Sequence, residues 1–256
     1  MPASLAVSLA NVDRPLRPLL DVAAGWKVDG VVLDTRSQVR PDEFGQTARR
    51  QLRHTLSERR LRLAALAVPT RSGLADPDRL DARLGAILSA MQLAYDLGSL
   101  AVAVRVGVWP TEDDAAERLG RVIDELATAS DRIGPRLTLM PSPGSLRPLS
   151  ELVAELDAPL AVQLDPAAAV QGGEPLEASA RSLAEAITHL RVRDAQRESG
   201  ETVLGRGKVD WTTAAGLAAD LPSLEWFVVD RTEGSQRSVD LETGLTFTRR
   251  VFLPPR

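Results

Sequence analysis

Residues 160–193, LAVQLDPAAAVQGGEPLEASARSLAEAITHLRVR, contain one complete unit of a pattern that recurs along the chain. An apolar run with alternating polar residues, Leu160–Asp165, is followed by an alanine-rich segment with helical periodicity and then by a second alternating run, His189–Arg193. Two parallel strands need a connection of roughly a dozen residues or more, usually a helix. The stretch therefore predicts a strand–helix–strand unit with parallel strands.

The same unit can be traced through the whole sequence, outward from this stretch in both directions. The predicted strands are Leu5–Leu9, Gly30–Asp34, Leu61–Ala67, Leu100–Val106, Arg136–Met140, Leu160–Asp165, His189–Arg193 and Trp226–Asp230. Eight such units in 256 residues match the size of a (β/α)₈ barrel. The alternative, a doubly wound open sheet, usually has a glycine-rich turn after its first strand, and residues 9–13 contain no glycine. We predict a single α/β domain over residues 1–256, a (β/α)₈ TIM barrel.

Helix boundaries are marked by capping residues. Asp76 and Pro77 predict an N-cap and a first helical position, and Gly98 predicts a left-handed C-terminal residue. Thr111, with Asp114 three residues later, predicts a second N-cap, and Asp210 predicts a third. These marks place helices between the strands, as the barrel requires.

Charge and composition exclude several classes of protein. Thirty-one Lys and Arg residues stand against 35 Asp and Glu residues, with both signs mixed along the chain, so we expect no nucleic-acid partner. The chain has no cysteine and two histidines, which rules out thiolate ligands and a three-histidine metal site within one chain. His54 lies among Arg49, Arg50, Arg53, Arg59 and Arg60; we interpret this basic cluster as an exposed face or an interface.

No apolar run reaches the ~18 residues of a membrane span. The first residues, Met1–Val7, carry no basic segment of the kind that begins a signal peptide. We therefore expect a cytoplasmic protein with no membrane partner, while a homo-oligomer remains open.

Charged residues collect where the predicted strands end. Inward-facing positions alternate along a barrel strand, and active sites lie at the carboxyl ends of the strands. By this alternation the mouth gathers three acids and three arginines, Asp34, Asp165, Asp230, Arg105, Arg191 and Arg193. Two interpretations remain open: a structural ion-pair network, since buried charges persist only when paired, or a site for a small sugar or anionic metabolite.

Two single residues add detail to the predicted mouth. Trp109 follows strand four directly and could either stack on a sugar or pack beneath its loop. His189 is the only histidine on a predicted strand, and its inward position below Arg191 favours a hydrogen-bonded core role over catalysis.

The order of several motifs resembles the sugar phosphate isomerase/epimerase family, the xylose isomerase-like TIM barrels. Members of that family have a strand ending in Asp-Pro, a later His-containing strand ending in Asp, a Gly-x-Gly-x-(Val/Ile)-Asp-Trp segment and a last strand ending in Glu. The matching segments here are Leu164–Pro166, His189–Asp194, Leu204–Trp211 and Phe227–Asp230, with weaker matches at Leu137–Gly144 and Gly30–Asp34.

The resemblance implies a divalent metal, Mn²⁺, Mg²⁺ or Zn²⁺, held by Glu, Asp, His and Glu on strands five to eight. In this sequence those four positions read Met140, Asp165, Arg191 and Asp230. Hard cations need several oxygen ligands, so we expect the metal to be lost and Arg191 to take its place as a fixed positive charge between the two aspartates.

The resemblance also implies a function: an isomerase- or epimerase-like protein that binds a small sugar or anionic metabolite. If it is a metal-free isomerase, epimerase or lyase, Arg191 or Arg105 would act as electrophile, and Asp34, Asp165 or Asp230 would act as base, provided that burial raises the carboxyl pKa. Of these, Asp165, Asp230 and Arg191 are the expected catalytic residues. Arg105, Trp109, Asp34, Arg193 and Arg206 are the expected substrate-binding residues. The alternative is a non-catalytic paralogue that binds a ligand or serves as a partner subunit. The DNA-repair endonucleases of the same fold are disfavoured by the net charge of −4.

Overall fold

The computed structural model describes residues 3–70, 73–156 and 159–253, and its central feature is a closed parallel barrel of eight strands. The barrel strands are β1 (Ser4–Ser8), β2 (Gly30–Asp34), β3 (Arg62–Val68), β4 (Ala101–Arg105), β5 (Arg136–Met140), β6 (Leu160–Leu164), β7 (Ile187–Val192) and β10 (Trp226–Val229). All eight strands predicted from the sequence are present, with ends that differ by at most two residues. Met1 and Pro2, which belong to the N-terminal segment interpreted above, lie outside the described residues.

Helices alternate with the barrel strands and cover the outside of the barrel. They are α1 (Leu16–Gly25), α2 (Gln46–Glu58), α3 (Leu80–Leu97), α4 (Asp113–Ile133), α5 (Leu146–Glu155), α6 (Pro166–Gly172), α7 (Leu176–Ser182), α8 (Trp211–Asp220) and α9 (Arg237–Phe252). A small antiparallel hairpin, β8 (Asp194–Gln196) and β9 (Gly200–Thr202), follows β7. This hairpin lies outside the eight strands predicted from the sequence. Within the described ranges, no helix has the length and apolar character needed to cross a membrane.

Two of the four predicted helix ends are confirmed and two are wrong. Thr111 does not cap α4, which begins at Asp113 after Glu112. Asp210 caps α8 by accepting hydrogen bonds from the backbone N–H groups of Thr212 and Thr213, and Gly98 ends α3 with a φ of 78°. Asp76 does not begin a helix: its Oδ1 accepts from the N–H of Asp78, and α3 starts later, at Leu80. The Asp-Pro pair therefore forms a turn that precedes the helix.

The core has two layers, which follow from the alternation of side chains along each strand. Leucine, isoleucine and valine side chains pack between the barrel and the helices. The barrel interior is lined by small residues, among them Ala6, Ala65 and Ala103. Trp226 fills the amino end of the interior, where a Cβ added to Gly30 would lie 2.7 Å from its ring. The apolar filling thus occupies the amino end, and the polar residues occupy the carboxyl end.

Candidate functional site

Arg191 lies between two aspartates at the carboxyl end of the barrel. It comes from β7, while Asp165 and Asp230 directly follow β6 and β10. Its Nη1 donates to Asp165 Oδ2 at 3.1 Å, and its Nε donates to Asp230 Oδ2 at 2.8 Å, with a further bond from Nη2 to the same oxygen. The three side chains are at most 6% exposed. The three residues proposed as catalytic therefore form one buried ion-paired group.

A second arginine extends this group outward. Arg193 Nε donates to Asp165 Oδ2 at 2.8 Å, and its Nη1 donates to Glu201 Oε2 at 3.2 Å. Glu201 belongs to the β8–β9 hairpin, and its Oε1 also accepts from Arg231 Nη1 at 2.9 Å. Arg231 Nε in turn donates to Asp240 Oδ2 of α9 at 2.9 Å. We call these seven residues, Asp165, Arg191, Arg193, Glu201, Asp230, Arg231 and Asp240, the arginine network.

Three members of the arginine network were missed by the sequence analysis: Glu201, Arg231 and Asp240. Arg231 follows the strand-ending Asp230 directly, which was a usable signal. Glu201 lies in the unpredicted hairpin and Asp240 on a helix, where strand alternation carries no information.

The electrostatics of the network keep its aspartates ionised. Burial alone would raise the pKa of Asp165, but the positive charges of Arg193 and Arg191 outweigh it and hold that pKa below its ordinary value. The pKa of Asp230 is lowered in the same way, chiefly by Arg191 acting against burial. The pKa of Arg191 is raised, because the two carboxylates outweigh its own burial. The raised carboxyl pKa on which the base role depended is therefore absent at both aspartates.

Arg105 lies beside the arginine network without joining it. It ends β4, is partly buried, and makes no side-chain hydrogen bond or ion pair with any residue that the structure describes. Burial and the charges of Arg191 and Arg193 lower its pKa, while Asp165 and Asp230 raise it less. On the adjoining strand, Thr138 Oγ1 is fully buried and also has no hydrogen-bond partner among the described residues. Strands β4 and β5 therefore present two polar groups whose bonding capacity the protein does not use.

Three of the predicted substrate-binding residues lie apart from the network. Asp34 Oδ1 accepts from the backbone N–H groups of Arg36 and Ser37, at 2.7 Å each, and stabilises a turn. Trp109 is half-buried and packs against the core, which favours the interpretation that it packs beneath its loop. Arg206 is exposed in the loop after the hairpin. Alternation along β2 predicted that Asp34 belongs to the mouth of the barrel. It could not predict that the Asp34 carboxylate would accept hydrogen bonds from the turn that follows.

His189 has the core role that the sequence favoured. Its Nδ1 is 2.8 Å from Thr188 Oγ1, and its Nε2 is 3.4 Å from the carbonyl oxygen of Ala64 across the barrel. Burial lowers the pKa of His189 to about 4, against smaller effects that raise it. The ring is therefore neutral at pH 7 and hydrogen-bonded within the barrel.

The Gly-Arg-Gly-Lys-Val-Asp-Trp segment, residues 205–211, folds around a single carboxylate. Asp194 accepts hydrogen bonds from the backbone N–H groups of Gly205, Gly207 and Val209 and from Trp211 Nε1, at 2.9–3.2 Å. A Cβ added at Gly207 would lie 1.9 Å from Asp194 Oδ1. The most specific motif in the sequence is thus explained by the shape of the loop after β7.

A divalent metal does not fit the residues at the four positions that the resemblance matched to its ligands. Asp165 Oδ2 and Asp230 Oδ2 already accept from the Arg191 guanidinium, and Met140 contributes no oxygen. In residues 3–70, 73–156 and 159–253, no group of three or more His, Asp or Glu side chains could hold a metal ion. A cation placed beside Arg191 would also meet strong repulsion, because these groups are shielded from water.

The closed parallel barrel of eight strands with interleaved helices defines a (β/α)₈ barrel, with charged side chains gathered at the carboxyl ends of its strands. A sequence profile of the xylose isomerase-like TIM barrels matches residues 20–251, and the chain belongs to this family.

Solved structures agree with this fold. A xylose isomerase domain protein from Planctomyces limnophilus superposes with a TM-score of 0.81 at 19% identity, with 98% of each chain covered. D-psicose 3-epimerase from Clostridium cellulolyticum H10, solved with D-tagatose, gives a TM-score of 0.76 at 14% identity over 97% of this chain and 99% of that one. A xylose isomerase-like protein from Mycobacterium smegmatis in complex with magnesium gives 0.76 at 13% identity, over 98% and 97%. A search of curated protein sequences found no significant match.

Proposed function

We propose that the protein binds a small sugar-like anion at the carboxyl end of the barrel, without a divalent metal and without isomerase chemistry. Arg105 would bind the anionic group of this ligand. The observation that carries the proposal is that Arg105 is a partly buried guanidinium with no ion-pair partner among the described residues, at the end of the barrel where proteins of this fold bind ligands.

The pairing within the arginine network supports this role for Arg105, although its four acids and three arginines sum to a charge of −1. The arginine network contains four acids and three arginines, all of them joined by ion pairs. No acid of the network is left to pair with Arg105 directly. Burial of an unpaired charge is costly, and a bound carboxylate or phosphate would accept two parallel hydrogen bonds from the guanidinium. Thr138 Oγ1 offers a further unused polar group on the neighbouring strand.

The proposal of a metal-free site depends on Arg191. Its guanidinium is hydrogen-bonded to both aspartates that the family resemblance matched to metal ligands. A fixed positive charge at this place would stabilise the two carboxylates, as a cation would, but it has no open coordination position for a substrate.

The lowered pKa values of Asp165 and Asp230 favour binding over catalysis. Proton abstraction beside a carbonyl needs a base whose pKa is close to the working pH. Both carboxylates are instead held as acceptors for arginine. This is the non-catalytic alternative of the sequence analysis; a metal-free isomerase, epimerase or lyase is the enzyme alternative that the experiments below distinguish from it.

The binding test compares anions with their uncharged parents. Titration calorimetry would be run on the wild type, Arg105→Met and Arg118→Met. The anionic ligands would be fructose 6-phosphate and other sugar phosphates and sugar acids of three to six carbons, and D-fructose would serve as the uncharged ligand. Arg118 is an exposed arginine of α4 and serves as the matched control. Loss of a charged hydrogen-bonding group costs about 1.5–3 kcal/mol, so we expect the best anion to bind at least tenfold more weakly to Arg105→Met and equally to Arg118→Met. Equal binding by Arg105→Met, or no anion bound by the wild type, would contradict the proposal.

Two further measurements test the metal and the chemistry. The untagged protein would be dialysed against Mn²⁺, Zn²⁺ and Co²⁺ and its metal content measured; one tightly held equivalent would contradict the metal-free site. The bound sugar phosphates would be incubated with the protein in D₂O and followed by proton NMR. We expect no deuterium incorporation at carbon, whereas protein-dependent incorporation would establish the enzyme alternative.

A further inference from the structure

A large cavity of about 1300 Å³ opens at the amino end of the barrel, opposite the arginine network. It is lined by the first residues of three barrel strands, Ser4, Arg62 and Trp226, and by the second half of α2. No residue of the proposed anion site around Arg105 lines it. The cavity is therefore a separate feature of the molecule.

Arginine side chains dominate the charge of this cavity. Arg50, Arg53 and Arg60 line it, and within the described parts of the chain their side chains make no hydrogen bond or ion pair. The two acids that line it are engaged elsewhere: Asp29 Oδ2 accepts from the N–H of Leu5 at 2.9 Å, and Glu225 pairs with Arg136. A basic surface thus lies on a chain whose net charge is −4.

The conformation of Arg60 is unusual for its position. Its φ is 54°, in the left-handed region, directly after the last residues of α2. Glycine is the residue most often found there, because it adopts this conformation without steric cost. The chain therefore carries a guanidinium at a position where the backbone alone would favour glycine.

The same cavity has an apolar and aromatic wall. Leu100 is 64% exposed, and Leu56 and Leu61 lie in the lining beside it. Arg62 lies over the Trp226 ring at 4.4 Å from its centroid, and its Nη2 donates to Ser4 Oγ at 2.6 Å. The stacking and the hydrogen bond hold Arg62 in place beside the unpaired arginines. We call Arg50, Arg53, Arg60 and Arg62 with this wall the basic cavity.

We propose that the basic cavity is a second binding site, for an organic anion that carries two or more phosphate groups and an apolar or aromatic body. Guanidinium groups match the oxygens of phosphate with paired N–H donors. Several unpaired arginines favour a multiply charged anion over a single carboxylate, and the leucine wall favours an organic body over inorganic phosphate. The volume is ample, since pockets of roughly 300–1,000 Å³ hold small-molecule ligands.

The test uses three probes in the presence of EDTA. ADP carries both the phosphate groups and the organic body, pyrophosphate carries only the phosphate groups, and adenosine carries only the organic body. Titrations would be run on the full-length wild type, on Arg53→Gln/Arg60→Gly and on Arg118→Gln. Glycine at position 60 suits the observed φ, so this variant keeps its fold, which the thermal midpoint would check. We expect ADP to bind the wild type and Arg118→Gln alike, the double variant at least tenfold more weakly, pyrophosphate more weakly than ADP, and adenosine not measurably. ADP binding should also weaken as NaCl is raised from 50 to 300 mM, because the arginines are exposed.

Three results would overturn the proposal: no ADP binding by the wild type, equal ADP binding by the double variant, or tighter binding of an acidic polyglutamate peptide than of ADP, which would make the cavity a protein-docking surface. Arg105→Met should bind ADP as the wild type does. That result separates this site from the proposed anion site at the other end of the barrel.

Discussion

The guanidinium of Arg191 is shared by two carboxylates from different strands: Nη1 lies 3.1 Å from Asp165 Oδ2, and Nε lies 2.8 Å from Asp230 Oδ2. All three groups are buried. Removing the arginine would leave the buried Asp230 without an ion-pair partner and Asp165 paired with Arg193 alone, so the parts of the site depend on one another.

Arg191→Met should destabilise the protein by about 3–5 kcal/mol at pH 7, which is typical when one partner of a buried ion pair is removed. Urea unfolding followed by circular dichroism would measure the change. Arg121→Met is the control, because Arg121 forms an exposed ion pair with Glu117 on α4 and such pairs contribute about 0–1 kcal/mol. Equal losses in the two variants would contradict the importance of the buried network.

Arg191→His combined with Met140→Glu should create a metal site. The substitutions place His and Glu at the family's ligand positions and remove the bonds from Arg191 to Asp165 and Asp230, while Asp165 Oδ2 keeps its bond from Arg193. We expect about one equivalent of Mn²⁺ or Zn²⁺ in the double variant after dialysis, and no such equivalent with Met140→Glu alone. Elemental analysis measures the metal content. A double variant that takes up no metal would show that the side chains at positions 140, 165, 191 and 230 cannot bind one metal ion together.

Arg105→Met should raise the stability of the ligand-free protein. The net lowering of the Arg105 pKa by burial and by Arg191 and Arg193 means that the folded state disfavours its charged form. The gain in the free energy of unfolding should be smaller at 500 mM than at 20 mM NaCl, because salt screens the repulsion of Arg105 by Arg191 and Arg193. Thermal unfolding at both salt concentrations measures it; a loss of stability would indicate that Arg105 has a structural partner.

Stability should depend on pH through His189. In the unfolded chain the imidazole of His189 has its ordinary pKa of 6.5, whereas the pKa of the buried ring in the folded protein is about 4. Unfolding is therefore favoured by protonation as the pH falls from about 6.5 to 4, and the stability lost over that range is roughly 3 kcal/mol. His189→Gln should flatten this part of the curve. A flat wild-type curve between pH 4 and 6.5 would contradict the assignment.

Gly207→Ala and Gly216→Ala should have opposite effects. At position 207 the new methyl group would collide with Asp194 Oδ1, which holds the loop after β7, and we expect a loss above about 1 kcal/mol. At position 216, inside α8, nothing lies within 4 Å of the added Cβ, and alanine should stabilise the helix by about 0.5–1 kcal/mol. Urea unfolding of both variants provides the comparison; a harmless Gly207→Ala would show that the loop can move away from Asp194.

Strand alternation predicted much of this molecule because each barrel strand has one apolar and one mixed side. It identified all eight strands and brought Asp165, Arg191, Arg193 and Asp230 together correctly. It failed where the chain leaves the strands. The Asp34 carboxylate accepts a hydrogen bond from the turn that directly follows it. Glu201 joins the network from a hairpin whose three-residue strands are too short for a periodic signal. The direction of the aspartate pKa shifts also depends on distances between side chains, which spacing along the sequence does not contain.

Every member of the arginine network lies between residues 165 and 240, so its acids and arginines connect β6, β7, the β8–β9 hairpin, β10 and α9. Glu201 accepts from both Arg193 and Arg231, and opening the hairpin alone would take one of the two acid partners from each of these buried arginines. These elements should therefore lose their slow amide protons in a single opening event, as one cooperative unit in hydrogen exchange. The first half of the barrel, whose interior is lined with alanine, has no comparable tie within its described residues and is free to exchange strand by strand.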